Sequence, residues 1–299
     1  MTDRYALFGN PVSHSKSPLI HNAFAQALGH DIDYALIEAP PGGFAAAALA
    51  FRDSGGKGCN ITTPFKLDAF ALATERAQRA ELAGAVNCLK FEPDGRIVAE
   101  MFDGIGLVND IERNLGLALR GKRVLVLGAG GAVRGCLEPV LGRSPAALVV
   151  ANRTAAKAMA LANQFAGFGP VRGCGLDALG GERFDIVLNG TSASLRGEEP
   201  SVPDGVLAGA ALAYEMVYGK GLTPFLRHAQ RAGAARVADG VGMLVEQAAE
   251  AWVWWRGVRP DTRAVIERLR SSGATRARWK ARSASARPAS GTRASAPAT

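Results

Sequence analysis

The stretch GNPVSHSKSPLIHN, residues 9–22, sets three serines, two histidines, a lysine and two prolines between a short apolar run and a helical pattern. An ordinary strand-to-helix turn needs only a few residues. This one carries far more hydrogen-bonding groups than a turn requires. Two other polar stretches follow apolar runs in the same half of the chain. CNITTPFK, residues 59–66, brings Asn60, Thr62 and Lys66; AEMFDGIG, residues 99–106, brings Asp103. In parallel sheets, ligands bind beyond the carboxyl ends of the strands, and all three stretches lie at such ends.

A different chemistry is written in RVLVLGAGGAVRG, residues 123–135. A β-branched run enters a glycine turn and then a helical pattern, the arrangement of a dinucleotide-binding turn. Gly128 and Gly130 permit the tight turn and close backbone approach, and the helix N-terminus faces a pyrophosphate. The third glycine of that fingerprint is replaced by Val133. Taken alone, such a turn also fits a structural role; the strand, turn, helix and second strand together favour a cofactor. After the next strand, LVVANRTAAK puts Asn152 where an NAD site wants an acid to grip the ribose. Asn152 is neutral, Arg153 follows it, and Thr154 and Lys157 lie beyond. A guanidinium there suits a 2′-phosphate, so the expected cofactor is NADP. Thr154 also reads as a helix N-cap.

The elements that must hold these groups alternate along the chain. Strands are expected at 4–8, 33–38, 57–60, 85–91, 96–100, 123–128, 146–151, 184–189, 211–216 and 235–238. Helical patterns cover 17–29, 43–53, 103–119, 131–142 and 154–166. The alternation predicts an α/β fold of βαβ units with mostly parallel sheets. Segment 85–100 reads instead as a hairpin turned by Pro-Asp-Gly. Two lobes are expected: a substrate domain of 1–102 plus 241–268, and a Rossmann-type NADP domain of 103–240. The helix begun by GVGMLVEQ must return Gln247 to the first lobe.

Composition narrows the function classes. No apolar run reaches the roughly 20 residues that span a bilayer, and MTDRYALFG has no signal-peptide pattern. Four scattered cysteines without a CxxC pair argue against zinc and disulfides and for a reducing cytoplasm. The net charge of +8 does not point to specific nucleic-acid binding. Arg276, Arg278, Lys280, Arg282, Arg287 and Arg293 supply most of it from a basic tail, 271–299, that is expected to be disordered. The four histidines join no metal cluster. His14 and His21 read as hydrogen-bonding scaffold for the first turn, His30 and His228 as surface residues.

The ordered set of motifs resembles the shikimate dehydrogenase family. GNPVSHSKSPLIHN looks like its substrate motif, NITTPFK its lysine motif and GAVN its asparagine motif. GAGGAVRG and NRT are similar to its NADP motifs, and YEMVYGKGLTPFL and GVGMLVEQAAEAW to its closing segments. The likeness spans roughly residues 4–268. It implies NADP-linked interconversion of 3-dehydroshikimate and shikimate. It further implies that Ser15 and Ser17 hold the substrate carboxylate, that Asn60, Thr62, Asn87, Tyr218 and Gln247 contact the ring, and that Lys66 and Asp103 form the catalytic pair. On the cofactor side it implies Gly128, Ala129, Gly130, Gly131, Ala132, Asn152, Arg153, Thr154, Lys157, Thr191, Met216, Gly240 and Met243. Read singly, Ser15 could cap a helix, Asn87 could serve the hairpin, and Lys66–Asp103 could be a structural ion pair. The implied partner is a small anionic cyclic polyol; the oligomeric state, monomer or homodimer, is left open.

The chain also departs from the family pattern. Met101 and Phe102 replace the usual Asn-Thr before the aspartate, and Cys88 the usual Thr after the asparagine. Glu215 stands for Asp and Ser194 for Gly. Bulky apolar groups beside Lys66 and Asp103 could be compensated packing, or could instead reshape the pocket or desolvate the pair. That keeps two alternatives open: a dehydrogenase of quinate or a related polyol, and a non-catalytic NADP- or metabolite-binding regulator.

Overall fold

The computed structural model describes residues 2–218 and 221–271. The basic tail lies, apart from its first residue, outside the described residues. The first sheet comprises β1 (Asp3–Gly9), β2 (Ile32–Glu38), β3 (Gly56–Ile61), β4 (Glu75–Arg76), β5 (Cys88–Phe91) and β6 (Ile97–Glu100). Helices α1 (Ser17–Leu28), α2 (Phe44–Asp53), α3 (Lys66–Leu72) and α4 (Gln78–Ala83) connect its early strands. The strand order is β2-β1-β3-β5-β6-β4. Strand β1 runs parallel to β2 and β3; β5 alone runs against its neighbours β3 and β6. The expected hairpin is therefore present, with Gly95 in its turn at φ +90°.

Helix α5 (Asp103–Asn109) leads to the second sheet, which is parallel throughout. Its strands are β7 (Arg123–Leu127), β8 (Ala147–Asn152), β9 (Val171–Gly175), β10 (Ile186–Asn189), β11 (Leu212–Glu215) and β12 (Val237–Asp239). The intervening helices are α6 (Gly131–Leu141), α7 (Ala155–Phe165), α8 (Asp204–Leu207) and α9 (Pro224–Arg231), and α10 (Val241–Arg256) follows. The order β12-β11-β10-β7-β8-β9 is the doubly wound dinucleotide-binding arrangement. Successive residues of β7 face opposite sides. Val124 and Val126 enter one core with Leu137 and Val140, while Leu125 and Leu127 enter another with Phe225 and Leu226. Helices on both faces of the sheet explain why RVLVL is apolar without alternation.

Glycines set the junction between the sheets. A Cβ on Gly104 in α5 would lie 2.3 Å from the Gly135 carbonyl oxygen of α6, and one on Gly106 would lie 2.7 Å from the Gln247 nitrogen of α10. Both contacts demand hydrogen in place of a side chain. Helix α10 also packs Val241, Val245 and Trp252 against Ile20 and Phe24 of α1.

The 103–119 pattern is not one α-helix. After Asn109 the chain makes a π turn over Asp110–Asn114, and Gly116 at φ +67° ends it. The short edge strands β4 and β9 escaped the periodicity reading. Thr154 does occupy the N-cap position of α7, but its side chain makes no capping bond. His228 is not a surface residue: it is buried, with Nδ1 2.9 Å from Glu199 and Nε2 2.7 Å from Asp204. His30 is half-buried, stacked on Trp252 and accepting from Arg256 Nε at 3.1 Å.

Candidate active site

In the first sheet the chain order reverses between β1 and β3, so the turns that follow these strands lie side by side. Asn10 N donates to the Thr63 carbonyl at 3.0 Å and Thr62 N to the Phe8 carbonyl at 2.9 Å. The first turn presents Ser15 and Ser17, whose hydroxyls are 3.2 Å apart. The second ends in Lys66 at the start of α3. Strand β6 runs in the same direction as β3, so Asp103 emerges at the same edge. Strand β5 runs oppositely, so Asn87, just before it, opens at that edge too.

These groups converge. Ser15, Ser17, Asn60, Thr62, Lys66, Asn87, Asp103, Tyr218 and Gln247 line one cavity of about 410 Å³. Ala132, Met216, Gly240 and Met243 close it from the second sheet. Lys66 Nζ is 2.5 Å from Asp103 Oδ2. Asn87 Nδ2 donates to Asp103 Oδ1 at 2.7 Å and to Gln247 Oε1 at 3.3 Å. The Asn87 side-chain oxygen accepts from Phe102 N at 2.8 Å. Asp103 therefore has both oxygens engaged while Lys66 remains 28% exposed toward the cavity. Tyr218 is 39% exposed at the mouth, yet its phenol is pushed up, first by lost hydration and then by the Asp103 carboxylate. A cationic donor beside a fixed carboxylate, among neutral amides and hydroxyls, can bind an anionic polyol and move a proton at one of its oxygens.

The reversal point of the second sheet lies between β7 and β10. Gly128 turns at φ +108°, and a Cβ there would meet the Gly190 carbonyl oxygen at 3.2 Å. Ala129 and Gly130 continue the turn; above Gly130 and Gly131 an added Cβ meets nothing within 4 Å. The eleven-residue helix α6 thus begins without a side-chain cap and with open space over its first amides. That cradle fits the diphosphate of a dinucleotide. Val133, in place of a third glycine, is fully buried in the core. At the end of β8, Asn152 Nδ2 donates to the Thr154 carbonyl at 3.1 Å. Arg153, Thr154 and Lys157 are exposed there, with no acid between Asn152 and Lys157. Arg153 lines a second cavity with Leu176, Asp177, Ser201, Val202 and Pro203. Thr191, after β10, donates its hydroxyl to Asn189 Oδ1 at 2.8 Å. A basic strand end of this kind fits a 2′-phosphate.

Residues 176–177 and 201–203 were not singled out from the sequence, since no motif marks them. His14, read as scaffold, lines the main cavity. His21 lies behind it, buried at 1% exposure and stacked on Tyr34. Neither ring nitrogen finds a hydrogen-bond partner among the described residues, so it supports the turn by packing and not by the hydrogen bonds expected of it.

Four of the five unusual residues prove to be coupled in pairs. Cys88 and Phe102 pack together under Ala251, Trp254 and Trp255. Ser194 Oγ donates to the Glu215 carboxylate, which also accepts from Asn189 at 3.0 Å and Thr223 at 3.1 Å. Met101 packs on Gly135 of α6. None of Met101, Phe102 and Cys88 lines the cavity, so of the alternatives the structure matches compensated packing and not a reshaped pocket. Phe102 supports Asn87 through its main-chain N–H, which any residue but proline would supply.

Among the described residues, no three His, Cys, Asp or Glu side chains are grouped to hold a metal, and no helix is long and apolar enough to cross a membrane.

The family model of the shikimate dehydrogenase substrate binding domain matches residues 7–89. That of shikimate / quinate 5-dehydrogenase matches 110–196, and that of the shikimate 5′-dehydrogenase C-terminal domain 240–270. The chain is 56% identical over 272 residues to the shikimate dehydrogenase (NADP(+)) of Nitrosospira multiformis, covering 91% of this chain and 98% of that protein. An Ael1 enzyme from Pseudomonas putida superposes with a TM-score of 0.86 at 61% identity, over 90% of this chain and 98% of that one. The shikimate 5-dehydrogenase of Thermus thermophilus, solved with NADP(H) and shikimate, does so with a TM-score of 0.79 at 29% identity, over 90% and 99%. Two reversal-point crevices facing one cavity, and these likenesses along nearly the whole length, place the chain in the shikimate dehydrogenase family.

Proposed function

We propose that this chain interconverts 3-dehydroshikimate and shikimate with NADP(H), using Lys66 and Asp103 as its acid–base pair. The observation that carries the reading is the 2.5 Å contact of Lys66 Nζ with Asp103, in a cavity lined from both sheets. Residues 1–102 with 241–268 act as the substrate lobe and 103–240 as the cofactor lobe. In support, each sheet falls within one of these segments and Gln247 of α10 lines the shared cavity.

Gly128 to Ala132 would hold the diphosphate. Asn152, Arg153, Thr154 and Lys157 would hold the 2′-phosphate end, and Thr191, Met216, Gly240 and Met243 the nicotinamide end. The bound cofactor supplies or receives a hydride at the ring carbon. In reduction, the Lys66 ammonium gives a proton to the oxygen on that carbon; in oxidation the neutral amine takes it back. Asp103 holds Lys66 in place, and Asn87 holds Asp103. Ser15 and Ser17 bind the carboxylate, while Asn60, Thr62, Asn87, Tyr218 and Gln247 select the ring hydroxyls. A reaction that makes and consumes small polar anions with a freely exchanging cofactor suits the cytoplasm.

The test is a panel of shikimate and quinate with NADP and NAD, read by nicotinamide absorbance. Turnover of shikimate with NADP is expected. Preference for quinate would replace the substrate, and no turnover with any candidate polyol would favour a non-catalytic binding role.

A further inference from the structure

Asn60 lines the substrate cavity while only 4% exposed. Its amide has two ends of nearly equal shape and opposite polarity, one accepting and one donating. What the pocket presents to a ligand depends on which end is committed behind it. The Tyr34 hydroxyl of β2 reaches past β1 and donates to Asn60 Oδ1 at 2.7 Å. Both partners are buried, Tyr34 at 6% exposure. Asn60 Nδ2 has only a 3.5 Å approach to the Asn87 carbonyl, so it remains the available donor.

The chemistry of the two groups sets the direction of the bond. A phenol shares its lone pairs with its ring, so it donates better than it accepts, and an amide oxygen can only accept. The one proton of Tyr34 therefore goes to the Asn60 oxygen. His21 holds the phenol ring from above, stacked at 4.3 Å with the planes 9° apart.

We infer that Tyr34 is a positioning residue that fixes the Asn60 amide with Nδ2 toward the substrate, so that this wall of the pocket recognises oxygen acceptors on the ring. The inference rests on the proposed function and deepens it. A ring carbonyl or hydroxyl lone pair satisfies Asn60; an ammonium in the same place meets only another donor.

The test is a double-mutant cycle of Tyr34→Phe and Asn60→Ala, read as kcat and KM for shikimate with saturating NADP. Tyr34→Phe is expected to raise KM about tenfold, the effect of losing roughly one oriented hydrogen bond, with kcat changed by less than about threefold. In the Asn60→Ala background the same substitution should change KM by less than about twofold, since Tyr34 then has no amide to orient. A residue that merely supports the fold would move KM equally in both backgrounds, and that result, or an unchanged KM in Tyr34→Phe, overturns the inference while leaving shikimate turnover intact. Absence of wild-type turnover would instead strike the proposed function. A second measurement does not depend on turnover. The Tyr34 hydroxyl proton, identified by its loss in Tyr34→Phe, should give a slowly exchanging low-field NMR signal that Asn60→Ala removes or shifts. A signal unaffected by Asn60→Ala overturns the inference whatever the substrate.

Discussion

Asn87 and Phe102 are joined by a bond in which the side chain takes the part of a strand. Asn87 Oδ1 accepts from Phe102 N at 2.8 Å, which turns its amide nitrogen onto Asp103 Oδ1. The carboxylate is thus gripped by Asn87 on one oxygen and by Lys66 on the other. Lys66 and Asp103 come from different strand ends, and the arrangement makes them one unit.

If they act as one, Lys66→Ala and Asp103→Asn should each lower kcat by about two to four orders of magnitude. The double variant should be little worse than the worse single. KM should change less, because Ser15, Ser17, Asn60 and Gln247, which line the same cavity, are left in place. Steady-state kinetics check this; near-normal turnover in Lys66→Ala would make the pair structural.

Arg153 is exposed at the end of β8, with no acid between Asn152 and Lys157. Arg153→Ala should weaken NADP by roughly 1.5–3 kcal/mol, the worth of a charge-assisted bond to phosphate, and leave NAD nearly unchanged. Titration calorimetry with both cofactors distinguishes this from a general loss of binding, which would move both alike.

Ser194 and Glu215 touch each other. Glu215→Asp alone withdraws the carboxylate from Asn189, Ser194 and Thr223, and should cost about 1–3 kcal/mol of stability through unpaired buried groups. Adding Ser194→Gly removes one of the stranded donors. The two changes should therefore be less than additive, by about 0.5 kcal/mol or more, in denaturant unfolding. Strict additivity would mean that the contact is incidental.

Burial pushes the His21 imidazole down to about 3, against a weaker opposing contact with Asn60. The folded protein thus binds fewer protons than the unfolded chain at pH between that value and about 6.5. Stability from this group is fully present above pH 6.5 and is lost as pH falls toward 3. Between pH 6.5 and 5 the loss is ~2 kcal/mol. His21→Phe should flatten the fall of melting temperature over that range relative to wild type. An unchanged slope would show that His21 is protonated without penalty.

The sequence carried the two reversal-point turns and the glycine cradle because their chemistry is local: each motif is one strand end and its turn. Contacts made by tertiary packing were not legible. His228 sits in PFLRHAQR like any exposed helical residue, yet the fold buries it between Glu199 and Asp204, which are distant in sequence. Tyr34 reads as one more strand aromatic until β3 brings Asn60 to it. The apolar departures looked threatening to the Lys66–Asp103 pair because adjacency in sequence says nothing of direction. Phe102 turns toward Trp254 and away from Asp103. Strand β9, VRGCG, has no apolar run to announce it and is held by its place at the edge of β8.

The glycine contact between α5 and α10 has a mechanical consequence. Gly106 meets the Gln247 backbone, three residues from Asp103. A body that turns about a fixed point moves least near that point. Any rotation of one sheet against the other that keeps this contact must leave Asp103 almost stationary, while Arg153 sweeps a longer arc. The cleft can then open wide enough to exchange a dinucleotide without separating Asp103 from Lys66. The Lys66–Asp103 pair stands at the pivot, and the basic end of β8 rides on the outer edge.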